Sequence, residues 1–287
     1  MALDTEKIQK PIRKLGKLLR KNPKQPTPDQ IHDLRTNTRR LEATLSALSL
    51  DSQRKGKRLL KDLARVRRRA GKIRDMDVLT SFASTVHPDG EQDCSVQLLE
   101  YLGARRRKHA KKLNATIGKS GTAMRNHLKQ ISRNLERELG NNSQGDKAAS
   151  GQATASALTI QSQLMNPARL GRNNLHPYRL KVKEMRNILK LAANPGDQEF
   201  ADWLGKVKDA IGEWHDWGEL QAIARDVLEH GSACKLLREI KRIGDEKYEE
   251  ALRETENMRA KFLSSRKKKH PGQPADEVWE ATRALAA

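Results

Sequence analysis

Residues 31–45 read IHDLRTNTRRLEATL, and residues 175–189 read LHPYRLKVKEMRNIL. Aligned at an offset of 144, His32 meets His176, Arg35 meets Arg179, Arg39 meets Lys183, Leu41 meets Met185 and Leu45 meets Leu189. Both stretches space their apolar residues by three and four, the pattern of an amphipathic helix. A second pair follows in the same order. IRDMDVL from Ile73 resembles WHDWGEL from Trp214 at an offset of 141, with Gly71 meeting Gly212. Two ordered matches at nearly one offset read as an internal duplication. The expected fold is all-α, with two homologous helical halves.

The rest of the chain fits that expectation. A helix is expected over residues 5–21, with Ile8, Ile12, Leu15 and Leu19 on one seam. The loop Asn22–Pro26 follows. Thr27-Pro28-Asp29-Gln30 then opens a helix whose seam is Ile31, Leu34, Thr38, Leu41, Leu45 and Leu48. Thr27 and Gln30 have the spacing of a capping box, and Pro28 suits the first turn. Further helices are expected over about 53–86 with a break at Gly71, 93–117 and 121–139. Residues 140–155, GNNSQGDKAASGQATA, read as a linker rich in Gly, Ser and Asn. Periodicity returns over about 156–166, 174–193, 198–230 and 233–263. A basic loop at Arg266–His270 and a short terminal helix complete a second repeat of 156–287, against a first of 1–139.

Charge is the main functional signal. Lys and Arg number 57 against 36 Asp and Glu, a formal net charge of +21, which predicts a field that attracts polyanions. From Arg54 to Arg74 there are eleven Lys or Arg and one acid, Asp62. At about 100° per residue, Arg58, Lys61, Arg65, Arg68, Arg69 and Lys72 share a face, away from Leu59, Leu63, Val66, Ala70 and Ile73. Like charges so placed repel one another, and a bound polyanion relieves the repulsion. The alternative is a solvated basic face. His32, Arg35 and Arg39 form another stripe off the apolar seam, repeated by His176, Arg179 and Lys183. Lys206 stands opposite Arg65, but Ala210 replaces Arg69 and Glu213 replaces Lys72. The field should therefore be stronger on the first half.

Aromatic residues make up 3% of the chain, which leaves few platforms for stacking single-stranded bases. Neither a helix-turn-helix nor a finger pattern is present. Cys94 and Cys234 lack metal spacing and read as free buried thiols of a reducing compartment. Neither a leader-like apolar stretch at the start nor a run of membrane-spanning length occurs, so a cytoplasmic protein is expected. The sequence carries no Gly-rich phosphate loop, no His-Glu-x-x-His and no nucleophile with an adjacent base, so no catalytic role and no cofactor is expected. His32-Asp33, Asp75-Asp77 and His215-Asp216 offer metal-ligand atoms. Adjacent helix positions point about 100° apart, so no resident metal is expected. Asp75 and Asp216 are read as helix caps or partners of Arg.

His32-x-x-Arg35-x-x-x-Arg39-Arg40-Leu41 followed by Ile73-Arg74-Asp75-Met76-Asp77 resembles the CHAD domain, a histidine-containing α-helical domain. His176-x-x-Arg179-x-x-x-Lys183 followed by Trp214-His215-Asp216 resembles that domain's second repeat. The likeness covers about residues 5–263. It implies two helical bundles related by a pseudo-twofold axis, with a basic groove that binds inorganic polyphosphate, and association with polyphosphate granules. Many relatives carry a preceding triphosphate-tunnel domain, and a stand-alone binder is expected here. Glu42 and Glu184 occupy positions where relatives commonly have a basic residue. The residues expected to touch phosphate are His32, Arg35, Arg39, Arg40, Arg58, Lys61, Arg65, Arg69, Lys72, Arg105, Lys108 and Lys112 in the first half. His176, Arg179, Lys183 and Lys206 serve the second. Arginine forks and lysine ammoniums suit phosphate oxygens, and each histidine either donates to phosphate or braces the helix packing. Non-specific nucleic acid is the second candidate partner.

Overall fold

The computed structural model describes residues 5–47, 54–139, 158–192, 195–229 and 233–264, and among these it is helical, with no strand. The expected linker, basic loop and terminal helix lie outside the described residues. The elements are α1 (Thr5–Arg20), α2 (Pro28–Ala47), α3 (Arg54–Ala83) and α4 (Gln92–Leu139). After them come α5 (158–165), α6 (Leu175–Ala192), α7 (Gln198–Val227) and α8 (Lys235–Phe262). No described helix is long and apolar enough to cross a membrane. The chain divides into one compact unit of residues 1–143 with 226–230 and a second of 144–225 with 231–287.

In the first unit the helices pack in a closed ring: α1 on α2, α2 on α3, α3 on α4 and α4 on α1. The described seam residues form the core, and Ile8 and Leu48 lie outside the described side chains. Leu15, Ile31, Leu41, Leu45, Leu59, Leu63, Ile73, Leu113 and Met124 are fully buried, and Thr38 joins them by returning its hydroxyl to the Leu34 carbonyl. The capping box of α2 is formed. The Thr27 amide donates to Gln30 Oε1 at 2.9 Å, and the Gln30 amide donates to Thr27 Oγ1 at 3.3 Å. Side chains of α4 pin the loop before α2: Asn114 donates to the Lys24 carbonyl, and Arg106 Nη2 donates to that of Pro26 at 2.7 Å.

Two expected breaks are absent. Helix α3 runs unbroken through Gly71, and residues 92–139 form one helix of 48 residues rather than two. A helical glycine weakens the helix by only about 1 kcal/mol, and burial along both seams outweighs that. Gly121 sits where α4 passes close to the end of α1. A Cβ there would lie 3.3 Å from Ile117 Cγ2 and 3.9 Å from the Leu19 carbonyl, to which Arg125 donates. Because α3 continues past it, Asp75 lies mid-helix rather than at a helix start, and its charge acts on Arg35, the other role expected of it.

The second unit buries Leu164, Leu175, Val182, Leu204, Val207, Ile211, Ala251 and Met258. Partly exposed aromatics join them: Phe200 stacks on Phe262, and Trp214 meets Tyr248. Cys94 and Cys234 are both buried, and neither is in a disulfide.

Candidate polyanion-binding site

The two arginines that align between the halves do the same thing locally. In the first unit, Arg35 of α2 lies across Gly71 of α3, and a Cβ on that glycine would meet Arg35 Nη1 at 2.9 Å. In the second, Arg179 of α6 lies across Gly212 of α7, where a Cβ would meet its Nη2 at 2.6 Å and its Cζ at 3.0 Å. Arg179 Nε also donates to the Lys208 carbonyl at 3.0 Å. Each guanidinium is half-buried because the facing residue has no side chain. Arg186 repeats the device within the second unit: it lies across Gly205 and donates to the Ala201 carbonyl.

Gly71→Ala and Gly212→Ala should therefore differ in stability. Both gain helix propensity of roughly 1 kcal/mol. The first displaces only one guanidinium nitrogen, so its melting temperature should hold or rise. The second must push the whole fork off the Lys208 carbonyl, so the gain should be cancelled or reversed. Thermal melts of the two variants followed by circular dichroism would show the contrast.

The surroundings of Arg35 are basic. Burial first, then the charge of Arg39, and then those of Arg74 and Arg67, hold its guanidinium below the ordinary arginine value, while Asp75 opposes them. Arg67 also pairs with Glu42 at 3.1 Å, which gives the acid at that position a structural partner. Arg67 and Arg74 are not among the contacts expected from the sequence. Their spacing of four and three residues from Gly71 is the signal that finds them.

A different group surrounds His109 of α4. Burial first, then Arg105 and Lys112 on α4 and Lys72 and Arg69 on α3, push its imidazole below the usual histidine value. Four expected residues thus converge there. Of the others, Arg58, Lys61, Arg39, Arg40 and Lys108 are exposed. Arg65 pairs with Asp62 at 3.1 Å, Arg105 donates to the Tyr101 hydroxyl, and Lys206 sits 4.8 Å from the Trp203 ring centroid.

The two aligned histidines have unlike settings. His32 is exposed on α2, with Nε2 3.4 Å from Thr36 Oγ1. His176 is half-buried, its ring 4.5 Å from that of His215. Burial, then His215 and then Arg179, hold His176 below its usual value. His215 is shifted upward, chiefly by its hydrogen bond with Asp216, whose Oδ1 lies 3.5 Å from Nδ1. The ligand atoms of His215, Asp216 and Glu219 lie within 4.8 Å of one another, with Glu219 one turn after His215 on the same face. Lys183 is half-buried on the same helix as His176 and Arg179.

Among the described residues the elements are helices with no strand, and they define an all-α protein with arginines seated over helix glycines in each unit. The chain belongs to the CHAD domain family, whose model matches residues 12–225. Comparison with curated proteins and with solved structures gives no match.

Proposed function

We propose that this chain binds inorganic polyphosphate without catalysing a reaction on it, and that its halves are two copies of one helical bundle. Family membership and the expectation attached to it support the ligand. The aligned pairs Arg35–Gly71 and Arg179–Gly212 support the duplication, because a shared ancestor explains why each arginine finds a glycine. The observation that carries the binding proposal is the setting of Arg35. A half-buried guanidinium among Arg39, Arg67 and Arg74 is offset only in part by Asp75 and stays below its ordinary value, so a further negative group is favoured beside it. A phosphate chain, with about one charge per unit and no base edges to read, matches arginine forks. In this reading the protein is cytoplasmic and associates with polyphosphate granules.

Charge alone serves nucleic acid equally well, so the test is competition. At equal phosphate concentration, long-chain polyphosphate should displace a labelled ligand at least about tenfold more effectively than duplex DNA, a difference of about 1.4 kcal/mol. If DNA competes as well or better, the non-specific nucleic-acid reading replaces this one.

A further inference from the structure

The basic residues of α3 do not act as one group. At about 100° per residue, Arg69 and Gly71 point about 160° apart. Arg35 lies over Gly71 on the flank that meets α2, whereas Arg69 and Lys72 act on His109 from the flank that meets α4. His109 is half-buried, with Arg105 one turn before it and Lys112 one turn after. Its Nδ1 is buried and makes no hydrogen bond among the described residues. His127 and His176 also have a buried Nδ1 with no hydrogen bond among the described residues, and what sets His109 apart is the four cations that act on it from two helices. A core position would favour an apolar side chain, and a solvated face would leave the nitrogen to water.

We propose that the seam of α3 and α4 around His109 is a phosphate-binding position of its own, distinct from the arginine cluster on the α2 flank, and that it takes up a proton together with the phosphate chain. The proposal rests on the polyanion reading and deepens it. In the free protein Arg69, Lys72, Arg105 and Lys112 repel a proton from the ring, and burial adds to the effect. A phosphate chain laid across those four residues reverses the sign of the local field. The protonated ring then places a positive charge beside the phosphate chain. Because His109 holds its proton more tightly in the complex than in the free protein, affinity rises as pH falls between the two values. It levels off outside that window, and one proton limits the slope to about tenfold per pH unit.

Titration calorimetry of the full chain with long-chain polyphosphate, in buffers of different ionisation enthalpy near pH 7, counts the protons taken up. Interior phosphates of a long chain are strong acids and contribute little of their own. Wild type should take up protons, and its affinity should rise several-fold between about pH 8 and about pH 6. His109→Gln should lose a share of that uptake and flatten the profile. Arg69→Ala with Lys72→Ala, at two exposed positions, should weaken binding and also reduce the uptake, because His109 is then less repelled in the free protein. Binding whose affinity and proton count are unchanged in both variants overturns the second position while leaving polyphosphate binding standing. No polyphosphate binding by wild type overturns both.

Discussion

Replacing Arg35, Arg39 and Arg74 together with alanine should weaken polyphosphate binding by about a hundredfold at low salt. A hydrogen bond to a charged group contributes about 1.5–3 kcal/mol. A flexible chain can reseat on neighbouring lysines, so roughly 1 kcal/mol for each arginine is the better figure. Three such losses, about 3 kcal/mol, correspond to a little over two decades in Kd. The salt dependence must change with it. Each phosphate neutralised releases condensed counterions, with a log–log slope near −0.7 per contact for a flexible single strand. Losing three contacts should make the slope shallower by about 2. Folding should not suffer. Arg39 is exposed, and Arg35 is held below its ordinary value by burial and like charge, so its removal relieves unfavourable terms. Helical content by circular dichroism should match wild type. An unchanged Kd with an unchanged slope would show that the cluster is solvated surface.

How far the sequence carries this site depends on where each partner lies along the chain. The α2 capping box joins residues three apart, so local spacing alone makes it legible. The apolar seams are legible for the same reason. Gly71 reads as a break because a glycine's local weakness is visible in sequence, whereas the neighbour that needs the space, Arg35, is not. The basic stripe of α3 is plain in the sequence, but its division between two flanks follows from which helix packs on each side. His109 escapes a sequence reading because Arg69 and Lys72 approach it from about forty residues upstream. Arg105 and Lys112, its neighbours on α4, are the clue that local spacing offers. The unlike surroundings of His32 and His176 are hidden too, since Arg74 stands where the second half has His215.

The largest effect on stability should come from the pair of Asp77 and Arg106, of which Asp77 lies in the stretch IRDMDVL that aligns with the second half. Its carboxylate accepts from Arg106 Nε at 2.6 Å, with side-chain exposures of 8% for Asp77 and 20% for Arg106. The same guanidinium donates from Nη2 to the Pro26 carbonyl, so one ion pair joins α3, α4 and the loop leading into α2. Removing one partner of a buried pair costs about 3–5 kcal/mol, because the other charge stays behind uncompensated. Arg106 is partly exposed and keeps its bond to Pro26, which places Asp77→Ala near about 3 kcal/mol on that scale. Arg106→Ala should be at least as damaging. Asp77 Oδ2 is already buried with no hydrogen bond among the described residues, so the variant would strand the whole carboxylate. The double variant should then lose less than the two single losses combined, by roughly 1–3 kcal/mol, since neither charge remains to be stranded. Gly218 stands at the aligned position of the second half, so the second unit has no counterpart to weaken. In urea the transition of the first unit should move while that of the second stays in place, which two probes, one in each unit, would resolve. Strictly additive losses would mean that Asp77 and Arg106 act separately and that the joint between α3, α4 and the loop is held elsewhere.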